Sequence, residues 1–496
     1  MRLLLAAVVL AALALPGSAA AAATPGARTC AGLRADRTVP AIVSSDPQPR
    51  APRVFAMQVK LDAAQVRTPR AFAAKVECLL REFVLPYRAR HRPNVVVFDE
   101  DAGILTPATG PRGAAARRIA SGTADDGCSG RPFPCRTLAL LGSLGDAYAR
   151  ERTYYEQRLG TLTAPGAPFL LATDTVVRTF MRTMARAAKR HGLYVIAANG
   201  QARFRQTRKR AARRALGPGR RSVYEATSSA IYNEVFLWGP RNVRRAGPDV
   251  LRNVLASNRK VPLTPIEQAI GLAPGPATGR AARHNLRPFR IPGTRARLGF
   301  ATSLPAFRYG AAGGDPCADV NETYMRCLDA LGANVVIQDD ANPGAWTGPD
   351  GDGVQLWQPL SWMTSTWRAV ADPEVGFAYN VTPMLVGNLG DLTFDGQTAV
   401  TQRGGAAGSG CHYVGNGAWT AGEDRPDLTG EAGPKREFLA IAPWVVPDAP
   451  RDDLRAVTAR LAPGSGDPLE NDYVETAVVA DLPFPVDTAR PGCAQP

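Results

Sequence analysis

The chain has 496 residues, 45% of them hydrophobic and 21% charged, which excludes a collagen-like or wholly disordered chain. At ~100–200 residues per domain, the length accommodates several domains or one large domain with insertions. Lys plus Arg (59) outnumber Asp plus Glu (44) for a net charge of +15, and the scarcity of His (4) argues against a metal centre or triad built on histidine.

Arg2, the apolar run 3–15 and the small residues 16–23 read as a secretory signal peptide cut near Ala21 to Ala23. The run is shorter than the roughly 20 residues of a membrane span, and no later segment approaches that length. A soluble, secreted or extracytoplasmic protein is expected, with no transmembrane segment after signal removal. Residues 53–61 (RVFAMQVKL) then predict a strand. Phe72, Val76, Leu79, Leu80 and Phe83 recur at helical spacing and predict a helix. Residues 95–98 are a short continuous apolar run, the pattern of a buried strand. The pair repeats: Val176, Val177, Phe180, Met181, Met184 and Ala188 form a helical stripe, and residues 194–198 a buried strand. Further strands are expected at 235–238, 298–301, 335–337 and 439–442. Helices alternating with apolar strands predict an α/β protein with a covered sheet.

Loop-like insertions interrupt this pattern at 107–136 and 201–221, the second holding nine Arg or Lys and no acid. Segments 271–283 and 341–353 are Gly- and Pro-rich, and the chain after about residue 445 is Pro- and Asp-rich and expected to be irregular. The division is thus a signal peptide (1–23), one decorated domain (50–445) and a C-terminal extension (446–496). All eight Cys lie after residue 23: Cys30, Cys78, Cys128, Cys135, Cys317, Cys327, Cys411 and Cys493. An even count in an exported chain favours disulfides over metal. Local bridges Cys128–Cys135 and Cys317–Cys327 are expected; the other four Cys cannot be paired from sequence. No zinc-like paired spacing occurs, and no metal or cofactor is expected.

Three segments could carry chemistry. In NVVVFDEDAGI (94–104), Asp99, Glu100 and Asp101 follow a buried strand at once. A carboxylate at a strand exit stands where ligands bind in α/β folds, and partial burial would raise its pKa toward that of a useful base; a solvated turn is the alternative. In SNRKVPLTPIEQ (257–268), Lys260 is one of only six Lys and precedes a Pro-punctuated stretch and Glu267. Its ammonium can pair with a carboxylate and donate to a developing oxyanion, or it is a surface charge. In RLGFATSLPAF (297–307), Ser303 follows a strand on a tight turn, which would expose a nucleophile beside backbone N–H groups; an ordinary turn serine is the alternative.

Taken together and in this order, the three segments resemble the nitrilase, or carbon–nitrogen hydrolase, superfamily. FDE ending at Glu100 is similar to the family's strand-ending Glu motif, RKVPLTPIE to its Lys motif, and LGFATS ending at Ser303 to its nucleophile strand. RVFAMQVKL, IYNEVFLWGP (231–240), LDALGANVVIQDDANPGAW (328–346), WRAVADPEVGFAYNVTPML (367–385) and LTFDGQTAV (392–400) extend the likeness over about residues 53–445. The resemblance implies a four-layer α-β-β-α sandwich that pairs through its helices into a homodimer. It implies hydrolysis of a non-peptide C–N bond of a small amide through an acyl-enzyme, with Glu100 as general base, Lys260 as oxyanion stabiliser and Glu267 as orienting carboxylate. The chain departs from the family where the nucleophile stands: Ser303 replaces Cys, Pro305 replaces a polar residue, and Pro262 replaces a His. A hydroxyl is far harder to ionise than a thiol of pKa ~8.5. Three outcomes follow: Ser303 attacks, the fold binds ligand without turnover as a pseudoenzyme, or a nearby Cys (Cys317, Cys327 or Cys411) acts instead. Separately, the basic segment 201–221 could contact a polyanion, with a solvated insertion as the alternative.

Overall fold

The apolar runs of the sequence become strands in the computed structural model, which describes residues 30, 39, 41–44, 48–124, 127–128, 134–311, 313–344, 358–407, 435–443 and 454–492. The strands are β1 (Ala41–Ile42), β2 (Arg53–Lys60), β3 (Asn94–Val97), β4 (Tyr194–Thr207), β5 (Val223–Trp238), β6 (Val254–Arg259), β7 (Phe289–Arg290) and β8 (Arg297–Phe300). They continue as β9 (Val335–Ile337), β10 (Tyr379–Thr382), β11 (Leu385–Leu389), β12 (Leu392–Phe394), β13 (Ala399–Gln402), β14 (Phe438–Ile441) and β15 (Thr476–Asp481). One sheet has the order β1-β15-β2-β3-β4-β5-β6, with β11 joined to β2 and to β12; the other has the order β14-β13-β10-β9-β8-β7. β2, β3 and β4 are parallel neighbours, as are β8, β9 and β10. Helical connections between them supply the crossovers that parallel strands require. The protein is therefore mixed α/β.

Strand periodicity decides where the core lies. Val54 and Ala56 of β2, Val95 and Val97 of β3 and Ile196 of β4 point to one side. There they pack with Leu298 and Phe300 of β8, Val335 and Ile337 of β9 and Tyr379 of β10, so the two sheets share one apolar interior. The alternate residues Phe55, Met57 and Val96 point the other way, into a cluster with Phe72, Val76 and Leu79 of the Pro69–Phe83 helix and Met184 and Ala188 of the Arg182–His191 helix. On the second sheet, Val336 of β9 packs with Val320, Tyr324 and Leu328 of the Val320–Ala330 helix. Each fully buried Val or Leu contributes on the order of 1.5–3 kcal/mol. The Pro69–Phe83 helix starts where its sequence dictates. Thr68 accepts from the Ala71 N–H (3.0 Å), and Pro69 occupies a first-turn position that needs no donor.

Three expectations change. Segment 201–221 is not a loop: β4 runs to Thr207, a helix spans Arg210–Leu216, and β5 begins at Val223. Ala212 and Leu216, four residues apart, are buried and anchor that helix. Segment 107–136 contains a buried 3-10 turn (Thr106–Ala108) and the Ala114–Ala120 helix. After 445 the described residues include a helix (Leu454–Leu461) and then β15, inserted between β1 and β2, where an irregular tail was expected. The buried run Ala477, Val478, Val479, Ala480 explains that placement, so the sheet extends past the boundary drawn at 445.

The two local disulfides form, Cys128–Cys135 and Cys317–Cys327, joined by Cys30–Cys78. Cys411, Cys493 and residues 1–23, the expected signal peptide, lie outside the described residues. Among the described residues, no helix is long and apolar enough to cross a membrane, and no group of three or more His, Cys, Asp or Glu is placed to hold a metal ion.

Candidate active site

β3 leaves the sheet at an acidic turn. The Phe98 N–H still donates to Ile196 O (2.9 Å), and Asp101 adopts φ +60, a left-handed conformation that Asp tolerates. This turn folds Glu100 inward rather than into solvent, and it is only 2% exposed. Its Oε1 accepts from Lys260 Nζ (2.7 Å) and Asn233 Nδ2 (2.6 Å), and its Oε2 from the Ala341 N–H (3.1 Å).

Lys260 follows β6 directly. Its N–H donates to Asn233 O (2.9 Å), which extends the β5–β6 ladder by one residue. β6 escapes the sequence reading because Leu255, Ala256 and Arg259 are half-buried, so no continuous apolar run marks it. Besides Glu100, Lys260 Nζ contacts Glu267 Oε2 at 2.9 Å. Glu267 lies in the short Pro265–Ala269 helix and completes a capping box with Thr264, whose N–H (2.8 Å) and Oγ1 (2.9 Å) donate to its Oε2. Its Oε1 accepts from Asn233 Nδ2 at 2.8 Å. Asn233 on β5 thereby spans both carboxylates, with the lysine between them.

The electrostatics follow from burial. Desolvation raises the Glu100 pKa, although Lys260 opposes it and Glu267 reinforces it. Burial also works against the Glu267 charge, but Lys260 and the hydrogen bonds from Asn233 and Thr264 prevail, and its pKa is lowered. For Lys260, desolvation disfavours the ammonium, yet the two carboxylates outweigh it and the pKa is raised. Asp101 is pushed well above its usual range, by burial first and then by Glu100 and Glu267.

Ser303 stands at the exit of β8. The Ala301 N–H donates to Ile337 O (2.8 Å), and the chain then turns sharply, with Ser303 at φ +59 and ψ −120. A non-glycine residue held there stores on the order of 1–3 kcal/mol of strain, of the kind that collects at functional sites. Pro305 belongs to the first turn of the 3-10 helix that follows, where its missing donor costs nothing. Ser303 is 2% exposed. Its neighbour Thr302 donates from Oγ1 to Asp339 Oδ1 (2.8 Å), and Asp339 leaves the adjacent strand β9. Two residues later, Ala341 donates to Glu100. The β9 exit therefore touches both the Ser303 turn and the Glu100 cluster.

All four sequence candidates lie buried at strand exits or just beyond them, and Glu100, Lys260 and Glu267 are in direct contact. Asn233, Thr264, Asp339 and the Ala341 N–H were not singled out. Two of them leave a sequence trace: Thr264-x-x-Glu267 has the capping-box pattern, and Asp339 follows a buried strand just as Glu100 does. Cys317 and Cys327 are joined to each other, so neither offers a thiol nucleophile; Cys411 lies outside the described residues.

No protein-family model matches the chain, and no curated protein matches it. Among solved structures, it is similar to a carbon–nitrogen hydrolase from Helicobacter pylori G27, at 13% identity over 71% of this chain and 82% of that one, with a TM-score of 0.36. It is also similar to a mutant of the amidase from Nesterenkonia sp. AN1 carrying acrylamide on its active-site cysteine (12% identity, 71% and 85% of the two chains, TM-score 0.35). A Cys-to-Ser mutant of that nitrilase-superfamily amidase matches at 13% identity, over 71% and 85% of the chains, with a TM-score of 0.35. These values describe a remote likeness.

Proposed function

We propose that this chain is an exported nitrilase-like carbon–nitrogen hydrolase acting on a small amide, with Ser303 as nucleophile, Glu100 as general base, Lys260 as oxyanion stabiliser and Glu267 as the carboxylate that orients Lys260. The order helix, sheet, sheet, helix is read as the family's α-β-β-α sandwich, and the disulfides fit an oxidising compartment. The observation that carries the reading is the buried Glu100–Lys260–Glu267 cluster bridged by Asn233, together with Ser303 on a left-handed turn after β8.

In this mechanism Glu100 takes the Ser303 hydroxyl proton as Oγ attacks the amide carbon, and the carbonyl electron pair moves to oxygen. Lys260 donates to that oxyanion and stays protonated throughout, consistent with its raised pKa. Collapse breaks the C–N bond, and Glu100 returns the proton to the departing nitrogen. Water, deprotonated by Glu100, then cleaves the ester, and the proton returns to Ser303.

A panel of small aliphatic amides assayed for ammonia or amine release tests the proposal. Turnover should disappear in Ser303→Ala and fall by about 10²–10⁴-fold in Glu100→Gln. A second reading, ligand binding without turnover, draws on one feature: the Glu100 carboxylate already accepts three hydrogen bonds, which favour its charged form and offset part of the basicity that burial gives it. No turnover by the native protein, none gained by Ser303→Cys, and thermal stabilisation by amides would establish that second reading instead.

A further inference from the structure

The segment 201–221 forms an ordered arm. β4 and β5 pair from Val195↔Trp238 to Thr207↔Val223, well past the point where β3 and β6 end. The Arg210–Leu216 helix closes the tip. One side of the arm is seated on the protein, with Ala202, Ala212, Leu216, Val223, Tyr224 and Ala226 in the apolar cluster beneath it. The other side is basic.

The acids near the arm are already engaged. Asp174 pairs with Arg178 and Arg220, and Glu225 with Arg158 and Arg205. Arg208, Lys209, Arg210, Arg214 and Arg221 are all exposed, and among the described residues none of the five has a salt-bridge partner. Five like charges carried on one short segment that is seated on the core repel one another, and a bound anion relieves that repulsion. Four of the five are Arg, whose planar fork matches phosphate oxygens in pairs.

We infer that the arm is a binding surface for a linear phosphodiester polymer. A bilayer is the weaker fit, because the exposed large apolar residues of the described chain are Val43, Leu138 and Val243, none of them on the arm to enter lipid. Base stacking plays no part: the aromatics Phe204 and Tyr224 of the arm pack edge-on against each other (5.7 Å), with Tyr224 buried in the core. Recognition is therefore of backbone charge and not of sequence.

Full-length protein titrated with duplex DNA, as a phosphodiester probe, tests this independently of any amide turnover. Five phosphate contacts predict a slope of about −4.5 in log K against log salt, or roughly a 500-fold loss of affinity from 50 to 200 mM. R208Q/K209Q/R210Q/R214Q should flatten the slope to about −1, while R241Q/R244Q/R245Q, which removes exposed Arg elsewhere, should leave it unchanged. Far-UV circular dichroism checks that both variants are folded. Equal losses in the two variants, or a native slope near zero, overturn the proposal. So does binding to phosphatidylglycerol vesicles without binding to DNA.

Discussion

Asp339 has no room to be an ordinary carboxylate. It is fully buried, and burial first, then the nearby Glu100 charge, raises its pKa to about 7 against a hydrogen bond from Thr302. The folded chain therefore holds a proton that the unfolded chain has lost above pH ~4. Stability contributed at low pH is withdrawn as pH rises from ~4 to 7, by up to about 4 kcal/mol. Asp339→Asn should remove that slope, and urea unfolding at a series of pH values between 4 and 8 would measure it; an unchanged slope contradicts the assignment. Lys260→Met should behave differently, because it leaves Glu100 and Glu267 buried without their cation. About 3–5 kcal/mol of stability should be lost near neutral pH, with partial recovery in acid as the carboxylates protonate. Glu100 and Ser303 were legible because each follows an apolar strand run at once, and Lys260 because it is one of only six Lys and stands before a Pro-punctuated stretch. Asn233 was not singled out as a site residue: within IYNEVF it reads as one polar position of a strand, and nothing local says that its amide spans two carboxylates.

β15 shows how a tail becomes part of a sheet. It pairs antiparallel with β2 from Thr476↔Gln58 to Asp481↔Arg53, and the Asp481 carboxylate meets Arg53 (2.9 Å) and Arg92 (3.1 Å). Val479→Asp would place a carboxyl in a site that is 1% exposed, at a cost of several kcal/mol. Loss of near-UV circular dichroism or of cooperative unfolding at 25 °C is the expected result, and a variant as stable as the native protein would mean that β15 is dispensable. The sequence reading missed this strand because its apolar run spans four residues in a Pro- and Asp-rich setting. β11, β12 and β13 are similarly short, at five, three and four residues. Their apolar runs are broken by Gly387, Thr393 and Thr401, unlike the continuous run at 335–337, and they form because neighbouring strands supply their hydrogen bonds and burial.

Disulfides tie distant parts of the chain together. Cys30–Cys78 closes a separation of 48 residues and fastens residue 30 to the Pro69–Phe83 helix. Cys317–Cys327 closes one of 10 and pins the start of the Val320–Ala330 helix. Loop-closure entropy assigns about 4 kcal/mol to the first and about 3 kcal/mol to the second. Paired Cys→Ala variants should show losses in that order in reversible thermal unfolding, and equal losses would point to native packing rather than chain entropy as the source.

Composition, apolar periodicity and capping residues act over a few neighbours, so the sequence by itself determined the α/β class, the main strands and helices, the two local disulfides and the strand-exit positions of the acids and the serine. Which exits meet was decided elsewhere. Lys260 and Glu100 are 160 residues apart, and Ala341 and Glu100 are 241 apart. Their contacts exist because β3, β5 and β6 share one sheet, β8 and β9 share another, and the two sheets bury a common apolar face. The basic arm follows the same division: its charge was plain in the sequence, but its seating on the core and the five cations left without a salt-bridge partner among the described residues arise from how β4 and β5 pair and from Asp174 and Glu225 being engaged by other Arg.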